Sequence, residues 1–130
     1  MSDKSTCLVV DDSSAIRRVV ASLFRDLNFD VAEATTGVHA VEHCKKEVPD
    51  IIMLDWNMPE MDGISCLRVL RAMEMPRRPI IVMCTTEIKV SKIQEALAAG
   101  ADEYIMKPFD KDIVAAKFRE VGLLSLAEPA

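Results

Sequence analysis

Short, almost unbroken apolar runs alternate along this chain with longer stretches where apolar and polar residues mix at helical spacing. The runs at 7–10, 31–34, 51–54, 80–83 and 103–106 predict five strands. The central ones hold so few polar residues that both faces are expected to be covered, as in parallel sheets. The stretches between them predict five helices. The first starts after Asp12, with Ser13 or Ser14 placed to cap it. It lays Ile16, Val19, Val20, Leu23, Phe24 and Leu27 on one face. The second runs from about Gly37 to Lys46, and the third starts near Gly63 and carries Ile64, Leu67 and Leu70. The fourth puts Val90, Ile93 and Leu97 on one face and stops at Gly100, which reads as a C′ glycine. The fifth carries Val114, Phe118 and Val121 on one face.

Strands alternating with helices imply a parallel sheet with right-handed crossovers. The predicted fold is therefore α/β: a doubly wound (βα)5, flavodoxin-like domain with a parallel five-stranded sheet in the order 2-1-3-4-5. A length of 130 residues suits one domain. The expectation is a single unit over 1–130, with a core at about 6–124, a frayed tail and no fused output domain.

Composition narrows the function. The net charge is −5 and no Lys/Arg-rich block occurs, which argues against a nucleic-acid surface. The basic pairs Arg17-Arg18, Lys45-Lys46 and Arg77-Arg78 are expected on solvated helix faces. No run has signal-peptide or membrane-span length, so a cytoplasmic protein without membrane insertion is expected. Cys7, Cys44, Cys66 and Cys84 form no C-x-x-C pair, so buried reduced thiols are expected rather than a zinc or redox site. Cys84 falls close to the candidate site below, where alkylation would be expected to perturb function.

The candidate chemistry lies at predicted strand ends. Asp55 follows Ile51-Ile52-Met53-Leu54, Asp11-Asp12 follow Leu8-Val9-Val10, and Lys107-Pro108 follow Tyr104-Ile105-Met106. Ligands of open α/β sheets bind at the carboxyl ends of strands, and the order 2-1-3-4-5 sets the first strand beside the third. Asp11 and Asp12 are thereby brought beside Asp55. Three clustered carboxylates repel and need a counter-charge. Mg2+ suits them, since it takes oxygen ligands and shares carboxylates with phosphate oxygens. Asp55 could then attack phosphorus, with Lys107 as a point charge for one phosphoryl oxygen and Thr85 donating a hydroxyl to another.

Taken together, Val10-Asp11-Asp12-Ser13, Leu54-Asp55-Trp56-Asn57-Met58-Pro59, Met61-Asp62-Gly63, Thr85 and Lys107-Pro108-Phe109 resemble a response-regulator receiver domain of the CheY type. That family is the phosphoacceptor half of bacterial two-component signalling, and the resemblance covers about 6–124. It implies that Asp55 is the phosphorylated aspartate. Asp12 and Asp55 would be carboxylate ligands of Mg2+, Asp11 would hold a metal-bound water, and the backbone carbonyl of Asn57 would be a further ligand. Lys107 would contact the phosphoryl group, with a cis peptide before Pro108. Thr85 and Tyr104 would form the switch pair, reshaping a surface that includes Ile88, Ile93, Leu97, Tyr104, Met106 and Lys117. The side chains of Asn57 and Glu87 would tune autodephosphorylation towards a short-lived phosphoryl state. Thr86 departs from the family's usual small residue and is expected to narrow access to Asp55. The implied partners are a CheA-like histidine kinase and an output protein such as the flagellar motor switch. A monomer is expected, and no enzymatic turnover beyond self-phosphorylation and autodephosphorylation.

Plainer and rival readings stand beside this one. Asp11-Asp12 also suit a helix start, where acids complement the dipole. Tyr104 could be a static half-buried ring, and Trp56 a packing residue useful as a reporter. His39 and His43 have chelating spacing but no evident third ligand, so a solvated helix face is expected. Within the family, a phosphate sink is the alternative output. Outside it stand a Mg2+-dependent phosphohydrolase working through an aspartyl-phosphate, and an FMN carrier of the same architecture.

Overall fold

Successive side chains on a strand point to opposite faces, so residue parity decides which layer each one joins. The computed structural model describes residues 5–86, 89–107 and 109–120, the last three by backbone only. Its strands are β1 (Thr6–Val10), β2 (Asp30–Ala34), β3 (Ile51–Asp55), β4 (Ile80–Thr85) and β5 (Glu103–Met106). All pair in parallel in the order β2-β1-β3-β4-β5. Helices α1 (Ser14–Asp26), α2 (Gly37–Lys46), α3 (Gly63–Ala72), α4 (Val90–Ala99) and α5 (Lys111–Glu120) alternate with them. The predicted class and strand order are those observed.

Even and odd positions build two cores. Leu8, Val10, Ile52, Leu54, Ile81 and Met83 pack with α2, α3 and α4 through Ala40, Cys44, Ile64, Leu67, Leu70 and Ala96. Cys7, Val9, Ile51, Met53, Val82, Cys84 and Ile105 pack on the other side with Val20, Leu23, Phe24 and Phe29 and with Val114 of α5. Each large aliphatic side chain so buried contributes about 1.5–3 kcal/mol. Sequence punctuation fixes the helix ends. Ser13, Thr36 and Asp62 accept N–H bonds at the starts of α1, α2 and α3, at 3.3, 3.0 and 2.9 Å. Gly100 ends α4 at φ 113°, a left-handed conformation that favours glycine.

Three expectations need correction. β3 and β4 run further than 51–54 and 80–83, so Asp55 and Thr85 are the last residues of their strands. In α1 the apolar face is split: Ile16 and Val19 are 40% and 62% exposed, and burial falls on Val20, Ala21, Leu23 and Phe24. In α4, Val90 and Leu97 face outward and Ala96 is the buried residue. Val121 and the side chain of Phe118 lie outside the described residues.

Candidate functional site

Parity also gathers the site. Asp55 continues the line of Ile51 and Met53, Asp11 that of Cys7 and Val9, and Lys107 that of Ile105. The three charged groups therefore meet at the carboxyl rim of the layer beneath α1 and α5. Lys107 Nζ lies 2.8 Å from Asp11 Oδ2 and 2.8 Å from Asp55 Oδ1. Its backbone N–H donates to the carbonyl of Thr85 at 2.9 Å, which pins the base of the lysine to the end of β4. Asp11 Oδ1 accepts the Ser13 N–H at 2.9 Å. Asp11 and Asp55 are buried, whereas Asp12 is exposed and its carboxylate has no hydrogen-bond partner among the described residues.

The charges are unbalanced. Burial pushes the Asp55 carboxyl above its usual range, Lys107 pulls it partly back, and the charges of Asp11 and Asp12 raise it again. Burial disfavours the Lys107 ammonium, but its hydrogen bonds to Asp11 and Asp55 outweigh that and hold it above its ordinary range. One oxygen from each of Asp11, Asp12 and Asp55 lies within 4.8 Å of the others. Three carboxylates against one ammonium, offering oxygen donors only, fit a hard divalent cation of the Mg2+ kind. No other cluster among the described residues has that capacity. His39 and His43 do not form one, and His39 Nδ1 accepts the N–H of Thr35 at 3.3 Å.

The loop after β3 is held tightly. Trp56 N–H donates to Cys84 O at 3.0 Å, and Gly63 N–H returns to Trp56 O at 2.7 Å. Position 63 must be glycine for this closure, because a Cβ there would overlap the Asp55 carbonyl and come within 2.7 Å of Trp56 Cα. Trp56 is buried in the α2–α3–α4 core, with Lys92 Nζ 5.7 Å from its ring centroid. Asn57, next along, is exposed.

Thr85 and Tyr104 have the opposite parity and belong to the α3–α4 side of the sheet. Thr85 is buried; Tyr104 is half-buried, with Lys117 Nζ 4.5 Å from its ring centroid and 3.7 Å from Glu103 Oε1. Thr86 is exposed and helps line an apolar groove of about 400 Å³ with Ile16, Val19, Phe109 and Lys107. Glu87, Ile88 and Pro108, with the peptide preceding it, lie outside the described residues.

Cys84 is paired in register with Asp55; its thiol is free and buried, as expected, and burial pushes it up to about 12. One further expectation is corrected. Arg17 is not a solvated residue: its side chain is 15% exposed and bonds to Glu33 Oε1 at 3.0 Å and to the Asp11 carbonyl at 2.9 Å. Neither Arg17 nor Glu33 was singled out from the sequence. The signal was helical phase, since Arg17 precedes Val20, Ala21 and Phe24 by three, four and seven residues.

A doubly wound sheet with acids at the ends of β1 and β3 and a lysine after β5 defines a class of phosphate-handling α/β proteins. Comparison with known proteins narrows that class. The response regulator receiver domain model matches residues 7–119, and the chain belongs to that family. It is 39% identical over 115 residues to the chemotaxis protein CheY of Pseudomonas aeruginosa, covering 88% of this chain and 93% of that one. It is 45% identical over 103 residues to CheY-3 of Vibrio cholerae, covering 78% and 79%. Among solved structures, Vibrio cholerae CheY4 superposes with a TM-score of 0.84 at 32% identity, covering 91% and 98%. The receiver domain of a Pseudomonas aeruginosa sensor histidine kinase, solved with a magnesium ion coordinated in its active-site cleft, gives 0.81 at 28% identity, covering 92% and 98%. The chain is thus a CheY-type receiver domain of two-component signalling.

Proposed function

We propose that Asp55 accepts a phosphoryl group from the phosphohistidine of a partner kinase, and that this switches the α4–β5–α5 face for an output protein. The supporting observation is the junction at which Lys107 bridges Asp11 and Asp55 within reach of Asp12. A carboxylate oxygen of Asp55 forms the new bond to phosphorus while the bond to the donor imidazole nitrogen breaks, and the electron pair leaves on that nitrogen. Lys107, already between the two acids, turns its ammonium to a phosphoryl oxygen. The hydroxyl of Thr85 donates to another, and Tyr104 responds from the same side of the sheet. Asp11, Asp12 and Asp55, with the Asn57 backbone carbonyl, would hold Mg2+, whose charge screens the carboxylates from the incoming anion. Asn57 and Glu87 set the lifetime of the product, and Thr86 restricts entry.

Residues 7–119, which the family model covers, act as one receiver, working as a cytoplasmic monomer. No helix among the described residues is long and apolar enough to cross a membrane. A CheA-like histidine kinase is the proposed donor, and the flagellar motor switch the proposed target; the relatives' chemotaxis names support both. The test is Trp56 fluorescence and phosphoryl incorporation from acetyl phosphate with Mg2+. The wild type responds to Mg2+ and then incorporates one phosphoryl group; Asp55→Ala incorporates none. Incorporation retained in Asp55→Ala would refute the assignment. Binding of the beryllofluoride-activated chain to a motor-switch protein separates a motor binder from a phosphate sink.

A further inference from the structure

Asp11 has one backbone donor and one backbone acceptor, and both are tied to β2, the first directly and the second through Arg17 of α1. Its N–H donates directly to the Ala34 carbonyl at 3.2 Å. Its carbonyl accepts Arg17 Nη1 at 2.9 Å, and the same guanidinium gives Nε to Glu33 Oε1 at 3.0 Å. Glu33 and Ala34 are adjacent at the end of β2. The Asp11 carbonyl belongs to the peptide joining Asp11 to Asp12. Fixing that plane fixes where the Asp12 N and Cα sit, and so narrows the directions in which its side chain can leave the chain. Asp12 has no hydrogen-bond partner for its carboxylate among the described residues, so its aim depends on the backbone beneath it.

We infer that Arg17 is a positioning residue for the acidic cluster: it clamps the Asp11–Asp12 peptide to Glu33 and so holds Asp12 in register with Asp55. This rests on the Mg2+ reading above. Other α1 cations do not share the arrangement. Arg18 is exposed, and Arg25, the second partner of Glu33, is 55% exposed and 3.9 Å away. The fork matters as well as the charge. A guanidinium can bond a carboxylate and a carbonyl at once in fixed geometry, whereas an ammonium is a point charge on a flexible stem. Groups that orient metal-binding acids typically change metal affinity by about 10- to 100-fold when removed.

Position and charge predict opposite outcomes. A cation near three carboxylates repels Mg2+, so if Arg17 acted only through its charge, Arg17→Met would bind Mg2+ more tightly. As a clamp, its loss weakens binding. Mg2+ is titrated against Trp56 fluorescence in the wild type, Arg17→Lys, Arg17→Met, Glu33→Ala and Asp12→Asn, with urea midpoints measured for each without Mg2+. The expected result is a Kd for Mg2+ about tenfold higher in Arg17→Lys and Arg17→Met, and a smaller rise in Glu33→Ala. A role confined to attaching α1 to β2 would move the urea midpoint and leave the Kd alone. Equal or tighter binding in Arg17→Lys and Arg17→Met, with a wild-type response abolished by Asp12→Asn, overturns this inference alone. A wild type that does not bind Mg2+ overturns it together with the reading it rests on.

Discussion

At the scale of single residues, two positions carry consequences that can be measured. Gly63 is where α3 starts and where the loop from Asp55 closes back, and no side chain fits between it and the Asp55 and Trp56 backbones. Gly63→Ala is expected to cost about 1–3 kcal/mol, the range for overpacking, read from urea unfolding. It should also weaken the Mg2+ response, because the nearest obstruction is the Asp55 carbonyl, and relieving the clash strains the backbone that carries the Asp55 side chain. The Asp55 carboxyl is held above its ordinary range by burial. The folded chain keeps that proton to higher pH than the unfolded chain, so ionisation costs stability as pH rises from about 4. Asp55→Asn should therefore melt at a higher temperature than wild type at pH 7, with the gain vanishing below about pH 4. Lys107 has the opposite consequence. Its raised value supplies stability that is complete below about pH 10 and is lost as pH climbs through the folded-state value.

Helices and strands differ in how much of them the sequence reveals. Strand parity needs no knowledge of neighbours, so the convergence of Asp11, Asp55 and Lys107 could be read from apolar runs ending in charge. Helix burial depends on what packs alongside. Ile16 and Val19 satisfy the apolar spacing of α1, yet nothing among the described residues covers them fully, and a cation at position 17 takes the phase of the buried stripe. In the same way the α4 pattern of Val90 and Leu97 points outward, because α4 contacts the core mainly through Ala96. Polar bonds across long sequence separations, such as Arg17 to Glu33, leave no periodic trace. Caps do leave one. Asp62 accepts the Ser65 N–H at 2.9 Å, and hydrogen bonding from the Ser65 side chain and then its backbone lowers the Asp62 carboxyl below the usual value. Asp62→Ala should destabilise by about 1 kcal/mol. Because the folded-state value is the lower one, the wild-type advantage is present above about pH 4 and lost as pH falls through it. Thermal melts at pH 7 and pH 3 would show the difference shrink.

Across the whole molecule, the two ends of the sheet have separate duties. At the end away from the acids, Arg71 donates to Gly100 O at 2.9 Å, Pro79 O at 2.7 Å and Asp102 Oδ2 at 2.8 Å. Asp102 also accepts Arg78 Nη1 at 2.8 Å and the Ile81 N–H at 2.9 Å. This network ties α3, the end of α4 and the starts of β4 and β5. Arg71→Ala should cost about 2 kcal/mol, less than for a fully buried pair because Arg78 still serves Asp102. The Kd for Mg2+ should stay at the wild-type value, which a fluorescence titration would check. The four thiols offer a different kind of access to the fold. Cys7 and Cys84 are sealed in the layer under α1 and α5, and Cys44 and Cys66 in the layer under α2, α3 and α4. Burial should slow the reaction of all four with thiol reagents in the native state, so that each sulfur becomes a clock for the opening of its own layer. A maleimide-bearing dye on an engineered surface cysteine could report the partner-binding face without removing any native cysteine. Mass-resolved labelling under mild denaturant would tell whether the two layers come apart together or in turn.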